Sequence, residues 1–147
     1  MRSEFAGIER RLERLGECLQ KLEPLRAKSL EELLDDPYLQ DIVERNLEVA
    51  AQCCLDIANR IISLEAARKP RDYYEGIIRL GEIGVLPADF ARHFAPIAGF
   101  RNILVHEYLD LDWDEIYANL QTLDDIYVFA EWVRRWLKDH DQGEIQP

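Results

Sequence analysis

The run Arg101-Asn102-Ile103-Leu104-Val105-His106-Glu107-Tyr108 sets four polar or ionisable side chains, Arg101, Asn102, His106 and Tyr108, inside an otherwise apolar stretch from Ile97 to Leu111. The hydrophobic neighbours predict that this stretch is largely buried, and buried polar groups need either partners or a task. An arginine is a permanent planar cation that fits phosphate oxygens. A histidine titrates near neutral pH and can take a proton from a ribose 2′-hydroxyl or return one to a leaving 5′-oxygen. With an asparagine or a tyrosine hydroxyl to orient the phosphate, the set suffices for metal-free cleavage of RNA by internal transesterification. The plain structural alternative is that Asn102 and His106 cap or bridge helices in the core, while Arg101 pairs with one of the many acids.

Helical geometry sharpens the choice. At about 100° per residue, Asn102 and His106 lie roughly 40° apart on one face, Arg101 and Tyr108 roughly 20° apart on another, and Arg101 and His106 diverge by about 140°. One regular helix therefore does not aim the Arg and the His at one small target. Either the helix distorts near its end, or the long Arg side chain folds around, or two copies of the segment meet across an interface. The third solution predicts a symmetric homodimer in which each copy supplies a like set of groups.

Other chemistries have less support. His93, His106 and His140 show no H-x-x-x-H pairing, and Cys18, Cys53 and Cys54 show no C-x-x-C pairing, so neither a metal nor another cofactor is expected. Gly-rich phosphate loops are missing. The adjacent Cys53 and Cys54 diverge on a helix, and all three thiols read as reduced, small core residues. A net charge of -11 argues against an extended nucleic-acid cradle and against a DNA partner, so RNA contact must be local. Arg68, Lys69, Arg71, Arg79, Arg92 and Arg101 are the candidates to line such a cleft, each being otherwise an ordinary solvated side chain. His93 and His140 read as surface residues, and Trp132 and Trp136 as core or dimer contacts rather than a base-stacking platform. Met1-Arg2-Ser3-Glu4-Phe5 leads straight into a charged amphipathic repeat, and no run approaches the roughly 20 apolar residues of a membrane span. A cytoplasmic protein with no membrane partner is expected.

The elements that must position the motif are helical. Phe5, Ile8, Leu12, Leu15, Cys18, Leu19 and Leu22 predict an amphipathic helix from Ser3 to Leu22, closed by Pro24. Ser29 with Glu32 has capping-box spacing, and Asp36-Pro37 is a second helix start. Tyr38 to about Arg68 is the clearest helix and belongs in the centre of a bundle. Arg71 to Ile83 is a shorter helix stopped by Gly81 and Gly84, and 87–108 reads as one kinked helix or two joined at Gly99. A last helix runs from Asp112 to Leu137, with Glu115 completing its cap. The 147 residues thus read as all-α: one helical domain over 1–139, an antiparallel bundle of four to five main helices, with a polar tail at 140–147.

These residues resemble the HEPN superfamily and, within it, the HepT-like toxins of two-gene toxin and antitoxin modules. The family motif is Arg, four to six residues, His, any residue, Tyr, matched here by Arg101, His106 and Tyr108, and its polar core R-N-x-x-V-H-x-Y is matched throughout. Glu44-Arg45-Asn46-Leu47, Leu55-Asp56-Ile57-Ala58-Asn59, the Asp72-Tyr73 start, the Gly81 to Leu86 turn, Ile97-Ala98-Gly99-Phe100 and Leu109-Asp110-Leu111-Asp112 extend the similarity over roughly Met1 to Leu137. The resemblance implies a HEPN-like helical homodimer and a metal-independent endoribonuclease, the toxin of a type VII-like toxin-antitoxin system. In that picture Arg101 binds the scissile phosphate, His106 is general acid or base, and Asn102 positions the phosphate. It also implies a minimal nucleotidyltransferase antitoxin that adds AMP from ATP to Tyr108. The competing reading is a non-catalytic helical dimer that binds nucleotides or docks a partner.

Overall fold

A computed structural model of the protein describes residues 3–145, with side chains from 4 to 140. Its α-helices are α1 (Ala6–Leu22), α2 (Leu30–Leu34), α3 (Pro37–Leu64), α4 (Tyr73–Glu82), α5 (Ala88–Phe94), α6 (Ile97–His106), α7 (Trp113–Gln121) and α8 (Asp124–Ile145). Short 3-10 turns occupy Ser3–Phe5 and Glu23–Ala27. No strand occurs among the described residues, as the periodicity requires.

The sequence caps operate as read. Ser29 and Glu32 form a reciprocal capping box at 3.0 and 3.1 Å. Asp36 Oδ1 accepts from the amides of Tyr38 and Leu39 at 3.0 and 3.3 Å, and Pro37 presets the first turn of α3. The bundle is more finely divided than expected, with eight α-helices rather than four to five. Residues 87–108 do split, but at Ala95-Pro96 and not at Gly99. Pro96 has no N–H to bond back into α5, and α6 restarts with Pro96 accepting from the amides of Gly99 and Phe100. The expected last helix divides at Thr122-Leu123. Thr122 Oγ1 bonds back to the Asn119 carbonyl at 3.1 Å, and Asp124 and Asp125 supply the acids that suit a new helix N-terminus. α3 ends at Leu64, short of Arg68, because Ala66 adopts φ 53°, the left-handed conformation that terminates a helix. The polar tail expected from residue 140 lies outside the residues with described side chains except for His140, and the backbone continues as helix to Ile145.

α3 is central because both of its sides are apolar. Val43, Leu47, Ala50, Cys54, Leu55, Ile57, Ala58, Ile61 and Ile62 are all buried. α1 packs antiparallel along it: Arg11 near the start of α1 approaches Asp56 late in α3, and Gly7 lies against Arg60. α4 and α6 cover its other flanks, and α5 approaches α4 so closely that a Cβ at Gly81 would stand 2.8 Å from the Cβ of Ala91. α8 seals the base of the bundle. Phe129 stacks on Phe94 at 5.0 Å, and Trp136 meets the Phe5 ring edge-on at 5.3 Å. Beyond α3, Trp136 Nε1 and His140 Nε2 converge on Glu65 Oε1 at 2.9 and 2.6 Å, next to the left-handed Ala66. His140 is thus half-buried and structural, not the plain surface residue expected.

Two outcomes follow from this packing. Phe129→Ala removes a fully buried ring and should cost roughly 3–5 kcal/mol in a urea-unfolding experiment. Cys18, Cys53 and Cys54 are buried and free, and burial raises all three thiols, Cys53 to about 11. Native protein should therefore resist a thiol-titrating disulfide reagent at pH 8, whereas urea-unfolded protein should titrate all three at once.

Candidate active site

Arg101 is the best-positioned polar group of the motif. Its place on α6 turns it toward α3, where its Nε donates to Gln52 Oε1 at 2.7 Å. Its Nη1 donates to Asn102 Oδ1 at 2.9 Å, and its guanidinium carbon lies 5.4 Å from the centre of the Tyr73 ring on α4. Gln52 is fixed in turn, its amide donating to Asp56 Oδ1 at 2.8 Å and approaching the Tyr73 hydroxyl at 3.3 Å. Three helices therefore hold one half-buried guanidinium, and its Nη2 makes no hydrogen bond among the described residues. Gln52 and Tyr73 were missed as site residues. A usable signal was present, since Arg45, Glu48, Gln52 and Asp56 form a polar line at helical spacing along α3.

His106 is the last residue of α6 and is exposed; its ring makes no hydrogen bond among the described residues. Asn102, one turn earlier on the same face, is exposed as well. The expected burial of Ile97 to Leu111 is thus corrected. Ala98, Phe100 and Leu104 are buried against the bundle, while Asn102 and everything from His106 to Asp110 face outward. The apolar residues of α6 occupy one stripe, and a helix can keep its other side in solvent. The structure brings Arg101 and Asn102 together and leaves His106 apart from Arg101. α6 stays helical through His106, and the Arg101 side chain is committed to Gln52, so neither helix distortion nor a folded-back arginine unites the pair.

Tyr108 lies past the end of α6, 66% exposed, followed by Leu109 at 82%. It borders a recess of about 370 Å³ with Asp41, Glu44, Arg45, Glu48, Leu104 and Val105. Burial first, then the neighbouring Asp41 and Glu48, raise the Glu44 carboxyl above its ordinary value. Arg45, Glu48 and Val105 also belong to a groove of about 800 Å³ that runs between α1 and α3 to Arg101. Its cations are Arg10, Arg11, Arg14, Arg45, Arg60 and Arg101.

Of the arginines and lysine expected to line a basic cleft, only Arg101 belongs to this groove. Arg79 is buried inside α4, bonded to Glu75 at 3.0 Å and Glu82 at 3.2 Å, because it lies one turn from an acid on each side. Arg71 pairs with Glu75 at 2.7 Å and Arg92 with Asp89. Arg68 and Lys69 lie in the loop after α3, Lys69 on a separate pocket edge. His93 is exposed as expected and meets Asp125 at 2.8 Å. Trp136 is core, and half-buried Trp132 carries Arg135 at 4.7 Å from its ring centre. No helix among the described residues is long and apolar enough to cross a membrane.

Comparison with known proteins accords with this architecture. A tRNA nuclease HepT of Aphanizomenon flos-aquae is 36% identical over 110 residues, 75% of each chain. An mRNA nuclease HepT of Shewanella oneidensis is 25% identical over 118 residues, 80% of this chain and 88% of that protein. Among solved structures, a tri-AMPylated HEPN toxin of Shewanella oneidensis in complex with an MNT antitoxin superposes with a TM-score of 0.78 at 23% identity, covering 92% of this chain and 99% of the other. This likeness extends the common fold to nearly the whole chain. A family model described as Ribonuclease HepT-like matches residues 8–133, so a three-helix clamp on Arg101 and an exposed His106 stand on a chain that belongs to the HepT-like ribonuclease family.

Proposed function

We propose that the protein is the toxin of a type VII-like toxin-antitoxin pair, a metal-independent endoribonuclease whose sites are completed across a homodimer in the cytoplasm. The observation that carries this reading is the division of labour on α6. Arg101 is preorganised with Asn102, while His106 stands exposed, with no hydrogen-bond partner among the described residues, on a different azimuth of the same regular helix. A two-fold axis beside α6 would set the Arg101-Asn102 pair of one copy opposite the His106 of the other. Arg101 then neutralises the scissile phosphate, Asn102 orients it, and His106 takes the 2′-hydroxyl proton. The attacking 2′-oxygen forms the cyclic phosphate as the 5′-oxygen leaves with a proton, which a second general acid or water supplies. Exposure of His106 is the expected state of a proton carrier before substrate covers it.

Regulation is proposed by the same likeness. The Shewanella toxin is tri-AMPylated and bound to an MNT antitoxin, and here Tyr108 is the exposed hydroxyl beside the motif. A nucleotidyl group on Tyr108 would put phosphate at the Arg45 end of the α1/α3 groove, adding bulk and negative charge where substrate must approach.

The partner-free protein should cleave total RNA in EDTA, and Arg101→Ala or His106→Ala should each lower the rate by at least about a hundredfold. His106→Ala should leave the thermal midpoint unchanged, since the ring is exposed and makes no hydrogen bond among the described residues. Mixing the two inactive variants should restore about one quarter of wild-type sites if each site draws on both copies. No cleavage by the wild type ends the ribonuclease reading, and no restoration on mixing ends the shared-site reading. Incubation with the partner nucleotidyltransferase, ATP and magnesium should add AMP mass to the wild type and none to Tyr108→Phe. Equal adducts on both proteins would exclude Tyr108 as the acceptor.

A further inference from the structure

The α1/α3 groove gathers cations around Arg101 that the catalytic scheme does not use. The whole chain has 18 Lys and Arg against 29 Asp and Glu, yet six arginines converge on this one surface. The acids of the groove are Glu13, Glu17, Glu48 and Asp56. Glu48 is taken by Arg45 at 2.8 Å, and Asp56 by Gln52 and, at 3.8 Å, by Arg11. Arg10, Arg14, Arg60 and Arg101 have no carboxylate within ion-pair distance among the described residues. Glu13 and Glu17 have no ion pair among the described residues either, so six arginines against four acids leave the groove two positive charges in excess on a chain that is acidic overall, a local field that favours an anion.

Their arrangement is linear. Gly7, Arg10, Arg14 and Glu17 follow one edge of α1 at three- and four-residue spacing, and Arg45, Glu48, Gln52, Asp56 and Arg60 follow the facing edge of antiparallel α3. The stretch from Gly7 to Glu17 spans about 15 Å at the α-helical rise. Arg60 closes one end, lying across α1 where a Cβ on Gly7 would stand 2.5 Å from its Nη1. Arg101 forms part of the inner wall, and the Tyr108 recess adjoins at Arg45. A track of guanidinium groups that leads to the phosphate-directed arginine suits a chain of phosphates better than a single anion.

We propose that this groove binds the sugar-phosphate backbone of the RNA flanking the cleavage point, with Arg10, Arg14 and Arg60 as phosphate-binding residues that determine affinity. The inference rests on the ribonuclease reading above and extends it to residues outside the motif. Contacts of this kind hold and orient the substrate and carry no base sequence.

The test is RNA binding by His106→Ala protein, which keeps the groove and does not cleave. The probe is 5′-labelled unfractionated tRNA or a labelled single-stranded RNA, whichever it binds more tightly. Adding Arg10→Gln and Arg14→Gln should weaken binding at least about tenfold and reduce the slope of log K against log salt by about 1.4 to 1.8, the share of two phosphate contacts. Arg60→Gln alone, far from the first pair on the chain, should reduce the slope by about 0.7 to 0.9. Arg134→Gln with Arg135→Gln, which removes equal charge outside the groove, should leave the slope as it was. Equal slopes in the groove and control variants overturn the track while leaving cleavage by the wild type intact. Failure of the His106→Ala protein to bind either RNA, with no cleavage by the wild type, removes the track and the ribonuclease together.

Discussion

The hydrogen bond from Arg101 Nε to Gln52 Oε1, 2.7 Å long, joins the motif helix to the central helix of the bundle. A guanidinium has a long, flexible stem, and a phosphate-directed one is useful only if its rotamers are restricted before substrate arrives. Gln52 supplies that restriction and is itself held by Asp56 and Tyr73, so the position of one cation depends on α3, α4 and α6 at once. The burial of α3 makes this arrangement stiff. Its apolar sides are packed against α1, α4 and α6, while the polar line through Gln52 stays half-buried along the groove.

Electrostatics divide the molecule in a way that the net charge conceals. Eight basic side chains among the described residues are paired with acids, most of them at three- and four-residue helical spacing, as with Arg71 and Glu75, Arg79 and its two acids, and Arg134 and Glu131. The edges of α1 and α3 depart from that pattern and leave guanidinium groups facing a shared groove. An overall charge of -11 is then compatible with phosphate recognition, because Coulomb interactions beyond a Debye length of about 8 Å are largely screened at physiological salt. At that range the local composition of a groove counts for more than the charge of the whole chain.

His106 and Tyr108 stand in contrast to Arg101. Both are exposed and neither makes a hydrogen bond among the described residues, so the same short segment joins a held cation to an accessible imidazole and an accessible phenol. Rigidity on one side and access on the other suit a site finished by a second copy and a tyrosine open to modification. The apolar Leu109, 82% exposed, lies at the same end of the motif.

Local order determined much of this molecule. Helical periodicity yielded the all-α class and the central place of α3, the Ser29/Glu32 and Asp36-Pro37 signals marked true helix starts, and the Arg101 to Tyr108 spacing identified the family's motif. These features are encoded within a few residues of one another, through side-chain period, capping and backbone restriction. Helix ends were less legible where competing signals met: Pro96 prevailed over Gly99 because a missing N–H breaks the ladder, whereas a glycine merely weakens it. The burial of the motif was misread because composition counts apolar residues without saying which azimuth meets the core. Which arginines form a groove lay beyond sequence reading altogether. Arg10 and Arg60 are fifty residues apart and line one groove only because α1 folds back antiparallel on α3, while Arg71, Arg79 and Arg92, closer to the motif along the chain, are consumed by acids beside them. Helical spacing acts over one turn, whereas the convergence of charges from separate helices exists only once the core has packed.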